Sequence, residues 1–304
     1  MTLFCDPAVD SKLHSTALDK TLVPGFPDSM LMNAVAKLGS RTAAGLAGFG
    51  DFCRFCSHTI AWIPSVFAPS ADHSELYRQF YLVGTRSVMV IMVTGLFVGA
   101  VLAAQTAPQF KAMGLLESMG AVVNLSVLCE LGPILVGIML VGRVGGRFTA
   151  EIGTMHVTEQ IDALRVMGTD PIRGLVVPRF LACLLLVPLL VFFASIMGIL
   201  GGYYVSVELF DAQPNEFWSN ASNAVAGYDI FRGPIKCFFF GGVTALICCY
   251  EGFRSGKGAA GVGRACTRSF VISCLTILIL DFFLVMIIST VIRIVWGLEP
   301  KLLN

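Results

Sequence analysis

The sequence carries little charge for its length. Of 304 residues only 13% are Asp, Glu, Lys or Arg, whereas 56% are hydrophobic and the mean hydropathy is +0.78. A soluble globular domain has about 25% charged residues, so the composition argues against a soluble enzyme and indicates a chain whose solvent is lipid. The net charge of +1 also gives no basis for nucleic-acid binding through bulk charge. We therefore expect an integral membrane protein without a nucleic-acid partner.

The sequence has no complete metal-binding cysteine pattern, and we do not expect residues 1–28 to act as a signal peptide. Cys53 and Cys56 have metal-like spacing in CRFC, but no second pair follows them. Most of the other cysteines lie in apolar runs, where Cys acts as a small hydrophobe, and we expect no metal site. Residues 1–28 hold four aspartates and no apolar core. We expect a disordered cytoplasmic tail there rather than a cleaved signal peptide.

Residues 30–62 are too polar to span a membrane, yet their apolar residues recur at nearly helical spacing. Basic residues occupy the other side, including Lys37, Arg41 and Arg54. This pattern predicts an amphipathic helix in the membrane surface, with its basic face toward the lipid headgroups. Packing of the same helix on the protein's own membrane domain is an open alternative.

Five apolar stretches are long enough to cross a bilayer, which takes about 20 residues as helix. We place the spans at about 81–107, 121–142, 176–207, 230–253 and 269–292. The fourth reaches this length only if Arg232 and Lys236 lie at the membrane interface. No alternation typical of β-strands competes with this interpretation. The predicted fold is an all-α integral membrane protein with five transmembrane helices, preceded by the interfacial helix.

The distribution of Lys and Arg predicts how these spans are oriented. The connections 143–179 and 251–268 contain five and four basic residues, whereas 208–229 contains none and 108–120 contains one. Basic connections face the cytoplasm. We therefore expect the N-terminus and both basic connections in the cytoplasm.

The cytoplasmic stretch 151–168, between spans two and three, has the signals of a short, well-ended helix. Thr154 or Thr158 can cap its start, and Glu159 then sits near the positive end of the helix dipole. Gly168 suits the left-handed position after a helix, and Pro171 stops any continuation.

The two faces of this helix differ in polarity. Val157, Ile161 and Leu164 form an apolar side, and Asp162 and Arg165 can pair at i, i+3 on the polar side. Such a helix can contact a cytoplasmic partner and transmit a push to the flanking spans. The alternative is a loop that merely reverses the chain.

Four stretches of the sequence resemble one known family. They are CELGPILVGIMLVGRVGGRFTAEIGTMHVTEQIDALRVMGTDPIRGLVVPRFLA (129–182), LYRQFYLVGTRSVMVIMVTGLFVGAVLAAQ (76–105), GAAGVGRACTRSFV (258–271) and LDFFL (280–284). Together with the amphipathic helix, these stretches make residues 30–292 similar to MlaE/YrbE-type permeases. Those permeases are the membrane subunits of ABC transporters that act with MCE-domain proteins. The stretch DALRVMGTDP also resembles the loop through which bacterial importer permeases touch their ATPases.

The resemblance implies partners and a function for this chain. It implies a homodimeric permease of the inner membrane, bound to a cytoplasmic ABC ATPase and to an MCE-domain protein, that moves phospholipid or another lipid. It implies no catalysis and no cofactor in this chain, with ATP and Mg bound by the ATPase. The stretch 151–167 becomes a coupling helix, and its expected contacts with the ATPase are Glu151, Thr158, Glu159, Asp162, Arg165 and Met167.

Glu130 is an ionisable residue inside the second span, which is by default a sign of function. The resemblance places it near the lipid cavity, in a motif where a basic residue often precedes the acid. Cys129 stands there instead, so we expect the local charge pair to be lost and a protonated Glu130 to be favoured. Bonding of Glu130 to the backbone of a neighbouring helix is the alternative. Pro133 can kink this helix and free backbone carbonyl groups.

The remaining candidates concern packing and the lipid pathway. We expect Asp281 to be structural and to bond to Arg143 or to a Ser or Thr of an adjacent span. Gly95 and Gly99 recur at a spacing that lets helices approach closely, as do Gly142 with Gly146 and Gly198 with Gly202. The resemblance places Leu96, Phe97 and Val98 beside the lipid cavity.

Two other functions remain open at this point. One is a membrane scaffold that assembles MCE proteins without transporting lipid. The other is an ion-coupled secondary transporter that uses Glu130 and Asp281. A nucleotide site in the chain is not expected, because SGKGAAGVG (255–263) lacks the spacing of a phosphate-binding loop.

Overall fold

A computed structural model describes residues 28–64, 74–115 and 118–296, and within these ranges the chain is helical with no β-strand. The tail expected at 1–28 lies outside the described residues except for Asp28, which begins the first helix. The chain divides into two units, Met1–Cys53 and Arg54–Asn304. Helix α1, Asp28–Trp62, crosses this boundary. The side chains of Lys37 and Arg41 are outside the described part, so the expected basic face stays a prediction.

The second unit contains the spanning helices. Its α-helices are α2 Ser74–Val83, α3 Thr85–Ala112, α4 Met119–Ser126, α5 Gly132–Leu140, α6 Gly146–Val157, α7 Gln160–Val166, α8 Val177–Tyr204, α9 Pro214–Ala224, α10 Gly227–Phe253 and α11 Gly258–Trp296. Wider π-helical turns lie at Val127–Leu131, Val141–Gly145, Ile172–Val176 and Val205–Leu209.

These segments join into five helices long and apolar enough to cross a membrane. Their bounds are Ser74–Ala112, Met119–Val157, Ile172–Leu209, Asp229–Phe253 and Gly258–Ile294. The predicted all-α fold with five spans is confirmed. The helices are longer than the apolar stretches, because polar turns at their ends continue the same backbone hydrogen bonding beyond the uncharged residues.

Helix α10 lies at the centre of the bundle. It packs against α5, α6, α8 and α11, and 67% of its most apolar stretch is buried, against 22% in the first and fifth spans. Its polar side chains are therefore surrounded by protein rather than by lipid.

Helices α3 and α8 approach so closely that glycine is required between them. A Cβ atom on Gly99 would stand 1.8 Å from the carbonyl oxygen of Gly198, and one on Gly95 would stand 2.4 Å from that of Ala194. The expectation of tight packing at Gly95 and Gly99 is confirmed. It is wrong for Gly146, where an added Cβ would meet nothing within 4 Å.

Candidate coupling segment and intramembrane charge network

The stretch predicted as one coupling helix, 151–168, is two helices. Residues up to Val157 continue α6, and α7 begins at Gln160. Between them Glu159 has φ +59°, a left-handed conformation that is unusual for a residue with a side chain. The predicted caps are wrong, because the hydroxyls of Thr154 and Thr158 donate to the carbonyl groups of Ala150 and Thr154 in their own helix.

Helix α7 has the predicted polar side but only part of the predicted apolar side, because Val157 belongs to α6 and is 36% exposed. Ile161 is 1% exposed and anchors the helix, while Asp162 and Arg165 form an ion pair of 2.9 Å on its outer side. The helix ends at Val166, and Gly168 follows with φ +76°, the left-handed conformation predicted for it. Most of the candidate ATPase contacts lie exposed on this segment: Thr158, Glu159, Asp162, Arg165 and Met167.

Glu151 is separated from these contacts and is bound within the chain. One carboxylate oxygen lies 2.6 Å from Arg147 Nε and the other lies 3.0 Å from a guanidinium nitrogen of Arg179. Arg179 is 1% exposed, stacks on the ring of Phe148 and donates to the carbonyl oxygen of Leu175. The Glu151–Arg179 pair ties the middle of α6 to the start of α8 on either side of residues 158–168, which we call the coupling segment. We call this pair the closed base of that segment.

A second charged group lies inside the bundle, around Lys236. Its ammonium nitrogen is 2.6 Å from Glu130 Oε2, 2.9 Å from the carbonyl oxygen of Cys129 and 3.1 Å from Asp281 Oδ1. Lys236 is fully buried, so its expected position at the membrane interface is wrong. Cys129 offers Glu130 no local charge pair, but Lys236, on another span, supplies a cationic partner that the sequence analysis did not predict.

Asp281 pairs inward, as expected, but with a different partner. Its partner is Lys236 rather than Arg143, whose side chain is exposed. We call Glu130, Lys236 and Asp281 the charge triad. The triad connects the second, fourth and fifth spans, and it contains two carboxylates for one ammonium group.

The local backbone explains how Lys236 reaches its partners. Pro133 has no N–H group, so the carbonyl group of Cys129, four residues earlier, has no helical donor. Lys236 donates to that oxygen. One turn before Lys236, a Cβ atom on Gly233 would stand 2.7 Å from the carbonyl oxygen of Leu128. Glycine at that position lets α10 lie directly against the π-helical turn that carries Glu130.

A further polar layer, which the sequence reasoning missed, lies next to the triad. Arg232 is 3.3 Å from Asp229 Oδ1 and donates to the hydroxyl of Ser289, while Cys129 Sγ lies 3.9 Å from Asp229. Asp229, Arg232 and Lys236 are spaced three and four residues apart, which places them on one face of α10. That spacing was a signal available in the sequence.

An open apolar groove of about 440 Å³ runs along the first span. Its lining residues are Val93, Thr94, Phe97, Val98, Val101, Leu102, Gln105 and Leu131. Phe97 and Val98 were expected in the lipid pathway and line the groove, whereas Leu96 does not. Glu130 is adjacent in sequence to the lining residue Leu131. Among the described residues, no three His, Cys, Asp or Glu side chains are grouped to hold a metal ion.

Five spanning helices, a charge triad centred on the buried Lys236 and an exposed helix between the second and third spans are the features of a multi-pass membrane protein of the permease class. Residues 76–287 match the family model described as Permease MlaE, and the chain belongs to this family.

Relatives support this assignment over most of the chain. A probable ABC transporter permease protein of Rickettsia felis is 39% identical over 255 residues, covering 84% of this chain and 97% of the relative. The intermembrane phospholipid transport system permease protein MlaE of Haemophilus influenzae is 36% identical over 261 residues, covering 84% of this chain and 97% of the relative. A probable ABC transporter permease protein of Synechocystis sp. is 41% identical over 207 residues, covering 68% of this chain and 79% of the relative.

Proposed function

We propose that this chain is the inner-membrane permease subunit of an ATP-driven lipid transporter, with phospholipid as its cargo. The family assignment and the phospholipid transport named for the Haemophilus relative support this proposal. In it the chain forms a homodimer, binds a cytoplasmic ABC ATPase that holds ATP and Mg, and meets an MCE-domain protein on the far side of the membrane. The chain performs no covalent chemistry itself.

The observation that carries the proposal is the exposed coupling segment with its closed base. Val166 and Met167 are 88% and 70% exposed at the end of α7, beside the polar side chains of Glu159 and Asp162. Exposed apolar residues rimmed by charge are typical of a surface that docks into a partner's groove. The strained backbone of Glu159 also fits a functional position.

The packing supplies a route from this segment to the groove. Movement of α7 reaches α6, which it contacts, and α6 is tied to α8 by the Glu151–Arg179 pair. Helix α8 is in turn locked against α3 at Gly99 and Gly198, and α3 carries Phe97 and most of the groove lining. ATP-driven closure of the ATPase subunits therefore widens or narrows the groove. The apolar groove suits acyl chains, and Glu130 sits near the headgroup or the gate.

The experiment is co-purification of the ATPase with the tagged chain in mild detergent. We expect the ATPase to co-purify with the wild type and to be lost from a Glu159→Lys, Asp162→Lys double variant. A Glu208→Lys, Glu216→Lys variant is the control, because it reverses the same charge on a connection that we place on the opposite side of the membrane. The proposal fails if the wild type retains no ATPase, or if both variants retain it equally.

The ion-coupled alternative has one observation in its favour. The triad sets two carboxylates against one ammonium group, which leaves one negative charge for a proton or a cation. This alternative requires lipid movement to follow a proton gradient across reconstituted vesicles without ATP. The scaffold alternative instead requires the double lysine variant to leave lipid transport unchanged.

A further inference from the structure

Four side chains join the end of α1 to the chain that follows α7. His58 Nε2 lies 3.8 Å from Asp170 Oδ2, and the guanidinium carbon of Arg173 lies 5.5 Å from the ring centre of Trp62. His58 and Trp62 are one helical turn apart, and their rings meet edge to face at 6.3 Å. All four belong to the unit Arg54–Asn304. We call this group the anchor cluster.

Asp170 has two separate roles in the anchor cluster. Its Oδ1 atom accepts a hydrogen bond of 2.9 Å from the backbone N–H of Ile172, which shapes the turn into the third span. Its Oδ2 atom faces His58. An asparagine at this position can keep the first contact through its amide oxygen, but an amide group then replaces the carboxylate oxygen that faces His58.

The end of α1 also has a second attachment. The ring of Phe55 lies 5.6 Å from that of Tyr250 and 6.0 Å from that of Phe253, at the end of α10. Removing the anchor cluster therefore leaves α1 held to the bundle by Phe55. The side chains of His58 and Asp170 are 49% and 28% exposed, and pairs this exposed contribute little to stability. The cluster's effect is on position rather than on folding.

We infer that the anchor cluster is a second output of the coupling segment, with His58 and Trp62 as positioning residues. It fastens the last turns of α1 to the turn after α7, so that a displacement of α7 moves residues 54–62 together with α8. The inference rests on the proposed function, because it takes α7 to be the helix that the ATPase moves. Energy from the ATPase then reaches the end of the amphipathic helix as well as the spans.

The functional test uses the permease reconstituted with its ATPase in phospholipid vesicles. In the variants His58→Ala, Trp62→Ala and Asp170→Asn we expect ATPase binding and ATP hydrolysis to persist. Lipid moved per ATP should fall about threefold to tenfold, the range in which coupling residues act. Adding His58→Ala to Asp170→Asn should cause no further loss, since both break the same contact. Ser57→Ala is the control, because the Ser57 hydroxyl bonds back to Arg54 in its own helix.

A structural readout separates failure of this inference from failure of the proposed function. Hydrogen exchange of the full chain in detergent should rise at amides 168–176 in each of the single variants His58→Ala and Trp62→Ala. In Asp170→Asn it should rise at amides 54–63. Unchanged exchange at both segments, or transport per ATP equal to that of Ser57→Ala, overturns the inference. If no ATPase binds the wild type while the exchange changes as expected, the anchor cluster exists as a contact and the proposed function is the part that fails.

Discussion

The ammonium group of Lys236 and the carboxylate of Glu130 lie 2.6 Å apart although the residues are 106 positions apart in sequence. Lys236 is fully buried, while the side chain of Glu130 is 38% exposed. The cation is thus enclosed by its two acidic partners, and one of those partners reaches the surface of the chain. This asymmetry is consistent with a structural role for Lys236 and with the role at the headgroup or gate that we propose for Glu130.

Replacing Lys236 with methionine should destabilise the protein strongly. The substitution leaves the carboxylates of Glu130 and Asp281 without their shared cation, and breaking a buried ion pair costs about 3–5 kcal/mol. The measurement is thermal unfolding in detergent, followed by size-exclusion chromatography. Stability equal to that of the wild type would show that the triad carries no net charge interaction.

The neutral triple variant Glu130→Gln, Lys236→Met, Asp281→Asn should recover most of that stability, since no charge remains unpaired. If Glu130 acts in lipid passage, the triple variant folds but transports poorly. The comparison is transport per folded complex in vesicles. Full transport by the triple variant would assign the whole triad to structure.

Gly99→Ala should separate α3 from α8. The added Cβ would stand 1.8 Å from the carbonyl oxygen of Gly198, and overpacking of this kind costs about 1–3 kcal/mol. Gly146→Ala is the matched control, since its Cβ would meet nothing within 4 Å. Melting temperatures of the two variants should differ, with Gly146→Ala at or above the wild type because alanine favours helix. A loss in both variants would point to glycine flexibility rather than to packing.

Glu151→Gln should cost far more stability than Arg147→Gln, although the two residues contact each other. Glu151 neutralises the buried Arg179, so its loss leaves an unpaired internal charge at about 3 kcal/mol. The side chain of Arg147 is 34% exposed, and a pair this exposed contributes about 1 kcal/mol or less. Unfolding of each variant and of the double variant measures the difference. Equal losses would contradict the closed base.

Glu159→Gly should stabilise the turn while weakening the link to the ATPase. Glycine adopts the left-handed conformation of residue 159 without steric cost, a gain of about 1 kcal/mol. Thermal unfolding and co-purification of the ATPase, measured on the same preparation, test the two effects. A variant that is more stable and binds the ATPase as the wild type does would show that the Glu159 side chain has no part in docking.

Composition and periodicity were sufficient to predict the five spanning helices and the close packing at Gly95 and Gly99, because these depend only on apolar length and on the helical repeat. The partner of Asp281 could not be predicted from the sequence, because it depends on which spans are neighbours in the folded bundle. Lys236 was misplaced for a related reason: a lysine near the end of an apolar stretch suits the interface unless another helix presents carboxylates to it.

The break in the coupling stretch was hidden for a local reason. A left-handed backbone conformation is usually predicted from a glycine or an asparagine in the sequence, and residue 159 is a glutamate. The predicted cap at Thr154 or Thr158 was equally plausible from sequence, since both hydroxyls can bond either to the start of a helix or back to the preceding turn. The left-handed residue that follows α7 was predicted correctly because it is a glycine, Gly168.

The closed base of the coupling segment has an evolutionary consequence. Because Glu151 and Arg179 tie α6 to the start of α8, substitutions at exposed positions between them leave that tie in place. Under the proposed function, Asp162 and Met167 can therefore change together with the ATPase, whereas the buried Ile161 must stay apolar. Selection can thus alter partner choice at a few exposed positions without changing the packing of the spans.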